Sequence, residues 1–255
     1  MEQGVTTEVV AERSERSRVE VWLNGRRCRC PVSVRVAEAL LELRGESHAV
    51  VVSHRCEVPV AQGLGASGAG ALSTAIAGSR ALGLRLSARC LGRLAHRAEV
   101  ECMTGLGDVI AQLSGGLVVR VSPGAPGVGE VERFYCEGEL GVLVLGGERP
   151  TSGCLRDLNS SEVHTVARGC LERILEEPEV SNLLYLSRKF ALSTGLASGR
   201  LREALLMLER RGISAGMCML GNAVFVDVED AERAGELLNL QPLRFRAGWR
   251  GAGPV

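Results

Sequence analysis

The sequence predicts a globular α+β protein built from two domains, and three observations support this prediction. The chain has 255 residues with 45% hydrophobic and 24% charged content, which is typical of a folded protein with a substantial core. A β-like run at residues 49–58 leads into a small-residue loop and then a helical segment, so strands and helices alternate. The pattern becomes helix-rich near residue 137, where we place the boundary between domains 1–136 and 137–255.

Composition narrows the class of protein further. Lysine plus arginine equal aspartate plus glutamate at 30 each, so bulk charge argues against a nucleic-acid or membrane-surface partner. The longest apolar run is too short to span a membrane. The nine cysteines lack zinc-ligand spacing, and Cys28 and Cys30 form the one close pair. With no signal-peptide pattern, we expect a cytoplasmic protein with mostly buried, reduced thiols, unless the source is a hyperthermophile that forms intracellular disulfides.

The first elements follow from local patterns. Residues 1–17 are polar and charged, and residues 19–30 alternate around Asn24-Gly25, a strong hairpin signal. Residues 34–45 place apolar side chains on one helical face and end at a glycine, which predicts a helix. The apolar run at 49–58 is the next predicted strand.

The loop that follows this strand is the most informative stretch of the chain. Residues 59–77 read PVAQGLGASGAGALSTAIA, a proline and small-residue loop that becomes helical. A strand, a glycine-rich loop and a helix start leave unpaired N–H groups where the helix dipole favours anions, so we expect a phosphate site. The loop lacks the Gly-Lys-Ser/Thr of a P-loop and the glycine spacing of a Rossmann fingerprint. A glycine turn that only allows tight helix packing remains the alternative.

The remaining elements alternate between helices and short strands. A helix is predicted over residues 86–103, followed by the glycine turn 104–108, a strand ending at 120 and a Pro/Gly loop to 127. The second domain is predicted to contain strands at 139–147, 223–228 and 243–249 and helices at 160–178, 182–196, 199–212 and 230–240.

Three charged residues supply the groups that phosphoryl transfer needs. Glu99 lies late on the second helix, Asp108 in the glycine turn, and Arg120 at the end of a strand. Phosphoryl transfer needs a carboxylate to bind a metal ion, a second carboxylate to orient or deprotonate the acceptor hydroxyl, and a cation to stabilise the charge that develops. Each residue has a simpler alternative: Glu99 as a solvated helix charge, Asp108 as a helix N-cap and Arg120 as a surface strand residue.

The chain resembles the GHMP kinases (galactokinase, homoserine, mevalonate and phosphomevalonate kinases), whose phosphate loop reads roughly P-x-x-x-G-L-G-S-S-A-A. Within that superfamily it most resembles the archaeal pantoate kinases. The similar segments are colinear and span nearly the whole chain. They are GVTTEV (4–9), SHRCEVPVAQGLGASGAGALSTA (53–75), AHRAEVE (95–101), TGLGDV (104–109), GGLVVR with SPGAPG (115–127) and GMCMLGNAVF (216–225).

The resemblance implies roles for individual residues. Ser67 and Glu99 would hold Mg²⁺, Asp108 would act as base or orienting group for the acceptor hydroxyl, and Arg120 would bind the substrate carboxylate or the transferring phosphoryl group. His96 is expected to pack behind the site, and residues 214–222 occupy the place of the third superfamily motif. The loop residues implied to wrap the ATP phosphates are Pro59, Gly63, Leu64, Gly65, Ala66, Ser67, Gly68, Ala69 and Gly70.

The resemblance also implies a fold and a reaction. The fold would be the two-domain GHMP kinase α+β fold, with an N-terminal half like ribosomal protein S5 domain 2 and a ferredoxin-like C-terminal half. The reaction would be ATP-dependent phosphorylation of (R)-pantoate to 4-phosphopantoate in archaeal coenzyme A biosynthesis, by a homodimer, since relatives form one. Another small-molecule GHMP kinase, for homoserine or shikimate, and an inactive nucleotide-binding relative are the alternatives.

One departure from the family pattern concerns the acceptor side. Relatives carry a Pro-Gly-His-Ile-Thr-like strand and a Gly-Ser-Arg-Gly-Ala-Gly-like turn before the part that matches GVTTEV. This chain begins almost at that match, so we expect the first strand of the sheet to be missing. Its absence would expose a sheet edge and weaken substrate binding, while leaving the phosphate loop, Glu99, Asp108 and Arg120 in place.

Overall fold

The computed structural model describes residues 3–105, 107–135, 138–147 and 161–254. The chain divides into two compact units. The N-terminal unit comprises the described residues of Gln3–Pro59, Gly65–Arg133 and Arg250–Val255, and the C-terminal unit comprises those of Val60–Leu64 and Phe134–Trp249. The domain boundary predicted between residues 136 and 137 stays a prediction.

A four-stranded mixed sheet forms the frame of the N-terminal unit. Its strands are β1 (Val5–Arg13), β2 (Arg18–Leu23), β3 (Arg26–Cys28) and β4 (His48–Cys56), in the spatial order β1-β4-β2-β3. β4 pairs antiparallel with β1 and parallel with β2. The polar segment 1–17 was not predicted to contain a strand, but β1 occupies much of it. Its residues alternate between half-buried and exposed, which is why an edge strand can carry so many charges.

Three helices complete the core of this unit. They are α1 (Pro31–Arg44), α2 (Ala66–Ala81) and α3 (Ala88–Cys102), and they share the buried core with β2 and β4. α1 begins earlier than predicted because Pro31 is well suited to a first helical turn, and it ends at Gly45 with φ +71°. The short helix α4 (Asp108–Ser114) and the strands β5 (Leu117–Arg120) and β6 (Val131–Phe134) follow.

A chain of buried and partly buried hydrogen bonds joins this sheet to α2. The Ser73 hydroxyl donates its one hydrogen to the carbonyl of Ala69 (2.7 Å). The Ser73 oxygen must therefore accept the hydrogen bond that joins it to the Thr7 hydroxyl. His54 Nδ1 then donates to Thr7 Oγ1 (2.7 Å), and Nε2 accepts from Ser33 (2.8 Å). This pattern needs a neutral imidazole, and burial lowers the pKa of His54 to about 4. The first turns of α2 are therefore anchored by side chains from α1, β1 and β4.

The sequence correctly predicted that most cysteines of the described residues are free thiols, but the prediction that most of them are buried was wrong. Cys28 and Cys30 are joined by a disulfide, and Cys30 lies beyond β3, directly before α1. Among the free cysteines of the described residues only Cys218 is buried, while Cys56, Cys90, Cys102 and Cys170 are half-buried. The close spacing of the pair was visible in the sequence, but spacing alone does not report whether two thiols are oxidised.

The C-terminal unit is a four-stranded antiparallel sheet with helices. It contains β7 (Glu139–Val144), α5 (Ser161–Glu176), α6 (Val180–Ser193), α7 (Gly199–Arg210), β8 (Ala215–Met217), β9 (Ala223–Asp227), α8 (Ala231–Leu238) and β10 (Leu243–Arg246). The order β10-β7-β9-β8 corresponds to 4-1-3-2 of a βαββαβ unit, in which α5, α6 and α7 lie between β7 and β8 in the described part of the chain. The ferredoxin-like expectation is therefore confirmed. β8 was missed because three residues carry too little periodicity.

Backbone contacts within the C-terminal unit join the start of the glycine loop to the turn after β8. A Cβ on Gly221 would overlap the carbonyl group of Gln62, and a Cβ on Gly63 would overlap the carbonyl of Cys218. Gln62 Nε2 also donates to the Gly147 carbonyl (3.2 Å). Only glycine permits such close backbone approach, which explains the small residues in these two segments.

Candidate active site

The N-terminus of α2 supplies the backbone donors predicted for phosphate. Gly65 is the N-cap residue in a left-handed conformation (φ +70°), and no side chain caps the helix. The first intrahelical bond runs from Ala69 N to Gly65 O (3.0 Å), so the N–H groups of Ala66, Ser67 and Gly68 have no intrahelical partner. This arrangement is suited to an anion.

Glu99 lies beside this helix start with its carboxylate fully buried. The side chain is 0% exposed, and its oxygens lie 3.2 Å and 2.8 Å from the positions that a Cβ would take on Gly68 and Gly105. Burial, then the charge of Asp108, raises the pKa of Glu99 from 4.5 to about 7, although the hydroxyls of Ser67 and Thr104 oppose the shift. The predicted alternative of a solvated surface charge is therefore wrong for Glu99.

The buried carboxylate of Glu99 fits a cation. Neither of its oxygens has a hydrogen-bond partner of good geometry among the described residues, which is costly unless a positive group binds there. Within the described ranges, no group of three or more His, Cys, Asp or Glu side chains is arranged to hold a metal ion. A cation at Glu99 would therefore depend on few protein ligands together with phosphate oxygens, as Mg²⁺ commonly does.

Asp108 is the first residue of α4 and faces the same loop. The N-cap residue is Gly107 and no side chain caps α4, so the alternative of Asp108 as an N-cap is wrong. Its carboxyl carbon lies 3.7 Å from the Cβ position of Gly65. Burial raises the pKa of Asp108, and the positive charge of Arg120 partly offsets this. A carboxylate with a raised pKa is better suited to accept a proton.

Arg120, at the exposed end of β5, places its guanidinium over Gly107. A Cβ on Gly107 would lie 2.9 Å from Arg120 Cζ, so a glycine is needed for the guanidinium to lie there. The charge of Arg120 acts on Asp108 and, after burial, lowers the pKa of His96. The Nδ1 atom of His96 is buried and has no hydrogen-bond partner in the described part of the chain. Arg120 therefore belongs to this cluster electrostatically, although its side chain remains accessible.

The structure brings some predicted loop residues to this cluster and places others elsewhere. Ser67, Gly65 and Gly68 lie beside Glu99 and Asp108. Gly70 faces the opposite, buried side of α2, where its Cβ position lies 3.6 Å from Ser33 Oγ. Leu64 is buried and Ala66 and Ala69 are half-buried, while Pro59 groups with the N-terminal unit and Gly63 with the C-terminal unit.

Sequence reasoning missed Gln112, which also lies against the loop. Its side-chain amide donates to the Gly65 carbonyl (2.8 Å). The one sequence signal for this residue was its position four residues after Asp108, which places both on the same face of α4.

Comparison with known proteins decides the family. Residues 32–116 match the model of the GHMP kinases N terminal domain. Over 232 residues the chain is 36% identical to the pantoate kinase of Thermococcus kodakarensis, covering 87% of this chain and 75% of that protein. This chain belongs to the pantoate kinase branch of the GHMP kinases.

Further similarities agree with membership of the pantoate kinase branch. The pantoate kinase of Methanocaldococcus jannaschii is 33% identical over 171 residues, which cover 66% of this chain and 61% of that protein. A solved structure described as a phosphotransferase related to the CoA biosynthesis pathway is 31% identical, with a TM-score of 0.81 and coverage of 98% of this chain and 85% of that one. A mevalonate kinase structure (11% identity, TM-score 0.69, covering 95% of this chain and 89% of that one) shares the fold. The α+β GHMP kinase fold predicted from the sequence is confirmed.

In the described residues, no helix combines the length and apolar character needed to cross a bilayer.

Proposed function

We propose that this chain transfers the γ-phosphoryl group of ATP to the 4-hydroxyl of (R)-pantoate, which gives 4-phosphopantoate for coenzyme A biosynthesis. The observation that carries the proposal is the similarity to the pantoate kinase of Thermococcus kodakarensis over 87% of this chain. The cluster of Glu99, Asp108 and Arg120 near the uncapped start of α2 supports it. The related phosphotransferase structure, described by its role in the CoA pathway, supports the same substrate class.

In this proposal the loop binds the phosphates of ATP. The free N–H groups of Ala66, Ser67 and Gly68 donate to phosphate oxygens, and the α2 dipole favours their negative charge. Residues 59–70 supply little side-chain bulk, so the phosphates can approach the main chain.

Ser67 and Glu99 are the residues proposed to hold Mg²⁺. Glu99 offers buried carboxylate oxygens without partners, and the Ser67 hydroxyl lies close enough to influence its pKa. When bound, Mg²⁺ neutralises charge on the phosphate oxygens during transfer. Glu99 must be ionised to act as a ligand, so a bound cation would lower its pKa from about 7.

Asp108 and Arg120 serve the acceptor side. Asp108 orients the 4-hydroxyl and accepts its proton as the oxygen forms a bond to the γ-phosphorus and the bond to the β-phosphate oxygen breaks. Arg120 binds the pantoate carboxylate or the transferring phosphoryl group, because a planar guanidinium suits both. The charge of Arg120 also favours the ionised form of Asp108, since it opposes the effect of burial on the pKa of this carboxyl.

An ATP-consumption screen tests the proposal. Pantoate, homoserine, shikimate and mevalonate are supplied separately with Mg·ATP, and we expect turnover with pantoate. Turnover with homoserine or shikimate instead would favour another GHMP kinase, and no turnover with any of the four would favour an inactive nucleotide-binding relative. The cytoplasmic location and the homodimer are parts of the same proposal, and light scattering on purified protein tests the second.

A further inference from the structure

Gln112 lies one helical turn after Asp108 and reaches the phosphate loop. Its Nε2 donates to the carbonyl oxygen of Gly65 at 2.8 Å. Gly65 is the N-cap residue of α2, so this bond fixes the position from which the free N–H groups of the helix project. A Cβ on Gly65 would lie 2.9 Å from the same nitrogen, so the contact depends on glycine at this position.

The partner atom in the bond to Gly65 determines which way the Gln112 side-chain amide is turned. A carbonyl oxygen only accepts hydrogen bonds, so the Gln112 amide must turn its NH₂ group toward Gly65. The same carbonyl also accepts from Ala69 N, which uses its second lone pair. Gln112 Oε1 is consequently directed away from Gly65.

Gln112 Oε1 faces the region where Glu99 ends. Oε1 lies 3.1 Å, and Glu99 Oε2 lies 3.2 Å, from the position that a Cβ would take on Gly68. Oε1 is buried and, like both oxygens of Glu99, makes no hydrogen bond of good geometry within the described residues. Leaving a buried acceptor without a partner costs free energy. Two such oxygens, Gln112 Oε1 and Glu99 Oε2, lie beside the same point of the loop, which indicates a site that a positive group completes.

We propose that Gln112 is an oxygen donor of the cation site, supplied through Oε1, while its Nε2 holds the phosphate loop. The inference rests on the proposed function, since the cation is the one that accompanies ATP. Amide oxygens suit hard cations such as Mg²⁺ and Mn²⁺, and a neutral ligand beside Glu99 adds an oxygen without adding negative charge.

Binding of Mn²⁺, measured by electron paramagnetic resonance with a non-hydrolysable ATP analogue present, tests this proposal without requiring turnover. Gln112→Met keeps the length of the side chain and removes both functions, so we expect Mn²⁺ affinity to fall by about 10-fold or more. Gln112→Glu removes the amide donor but keeps an oxygen, so we expect its Mn²⁺ affinity at pH 8 to stay within about threefold of the parent or exceed it. Ser114→Ala is the matched control on α4, since the Ser114 hydroxyl donates to the Ile110 carbonyl of its own helix.

The pattern across the variants decides the outcome. If Gln112→Met and Gln112→Glu weaken Mn²⁺ binding equally, or if neither weakens it, Oε1 is not part of the cation site. Gln112→Leu provides a second apolar variant if the methionine variant does not fold. If the parent protein binds Mn²⁺ and nucleotide but leaves pantoate unphosphorylated, the proposed function fails while the role of Gln112 stands. If the parent binds no Mn²⁺ in the presence of nucleotide, both fail.

Discussion

Replacing Glu99 by glutamine should stabilise the metal-free protein at pH 8. The carboxylate is buried, and its pKa is raised from 4.5 to about 7. One pKa unit corresponds to about 1.4 kcal/mol, so ionising Glu99 in the folded state costs about 3 kcal/mol. Glutamine has a similar shape and no charge, so it avoids this cost.

The sign of the pH dependence follows from proton binding. Between the unfolded pKa of 4.5 and the folded pKa of about 7, the folded state holds more protons at Glu99 than the unfolded state. The contribution of Glu99 to stability is therefore fully present below pH 4.5 and is lost as the pH rises through 7. We expect Glu99→Gln to raise the free energy of unfolding by about 3 kcal/mol at pH 8 and by less than about 1 kcal/mol at pH 5. His54 has the opposite dependence between about pH 4 and 6.5, but both proteins carry it, so its effect cancels in the comparison.

Urea unfolding in a metal chelator provides the measurement. The chain has two tryptophans, and Trp22 lies in β2 of the unit that contains Glu99, so a Trp249→Phe background reports on that unit. Glu101→Gln is the control, because Glu101 is on the same helix but is exposed and its pKa is lowered by Arg35 and Arg97. Equal pH dependence of unfolding for the parent and Glu99→Gln would refute the reasoning.

Three further predictions concern catalysis and packing. Asp108→Asn should lower turnover by about 100-fold or more with little change in melting temperature, and near-normal turnover would remove Asp108 from its role. Arg120→Ala should raise the KM for pantoate more than the KM for ATP; steady-state kinetics with unchanged pantoate saturation would contradict that assignment. Gly221→Ala should destabilise the C-terminal unit by about 2–4 kcal/mol, because the new Cβ would overlap the Gln62 carbonyl. The control is Gly169→Ala on α5, where a Cβ meets nothing within 4 Å, so this variant should be neutral or stabilising. Equal thermal unfolding of the two variants would count against the contact between Gly221 and Gln62.

The strand, glycine loop and helix around residues 49–77 were predictable because each has a strong local signal. The apolar run gives β4, and the small residues leave the α2 N-terminus uncapped. β1 was missed because its charged residues lie at the outward positions of an edge strand, where they hide the apolar alternation.

The sequence predicted the charged residues, the serine and the glycines of the candidate site, but it did not predict Gln112. Glu99 and Asp108 stood out as carboxylates close to a glycine turn, but their burial depends on packing that no local pattern specifies. Gln112 gave no comparable signal, because an amide is ordinary in a helix until its neighbours leave one oxygen without a donor. The disulfide between Cys28 and Cys30 likewise depends on how the fold places the two residues rather than on their spacing alone.

The most direct test of the central claim is a proton-coupled ³¹P NMR spectrum of the product formed from pantoate and Mg·ATP. Transfer to the 4-hydroxyl places the phosphate beside a CH₂ group, so the account predicts a triplet from two coupled protons. Phosphorylation of the 2-hydroxyl would give a doublet and an acyl phosphate a singlet. Either of these, or the absence of a phosphorylated product, would contradict the proposed reaction.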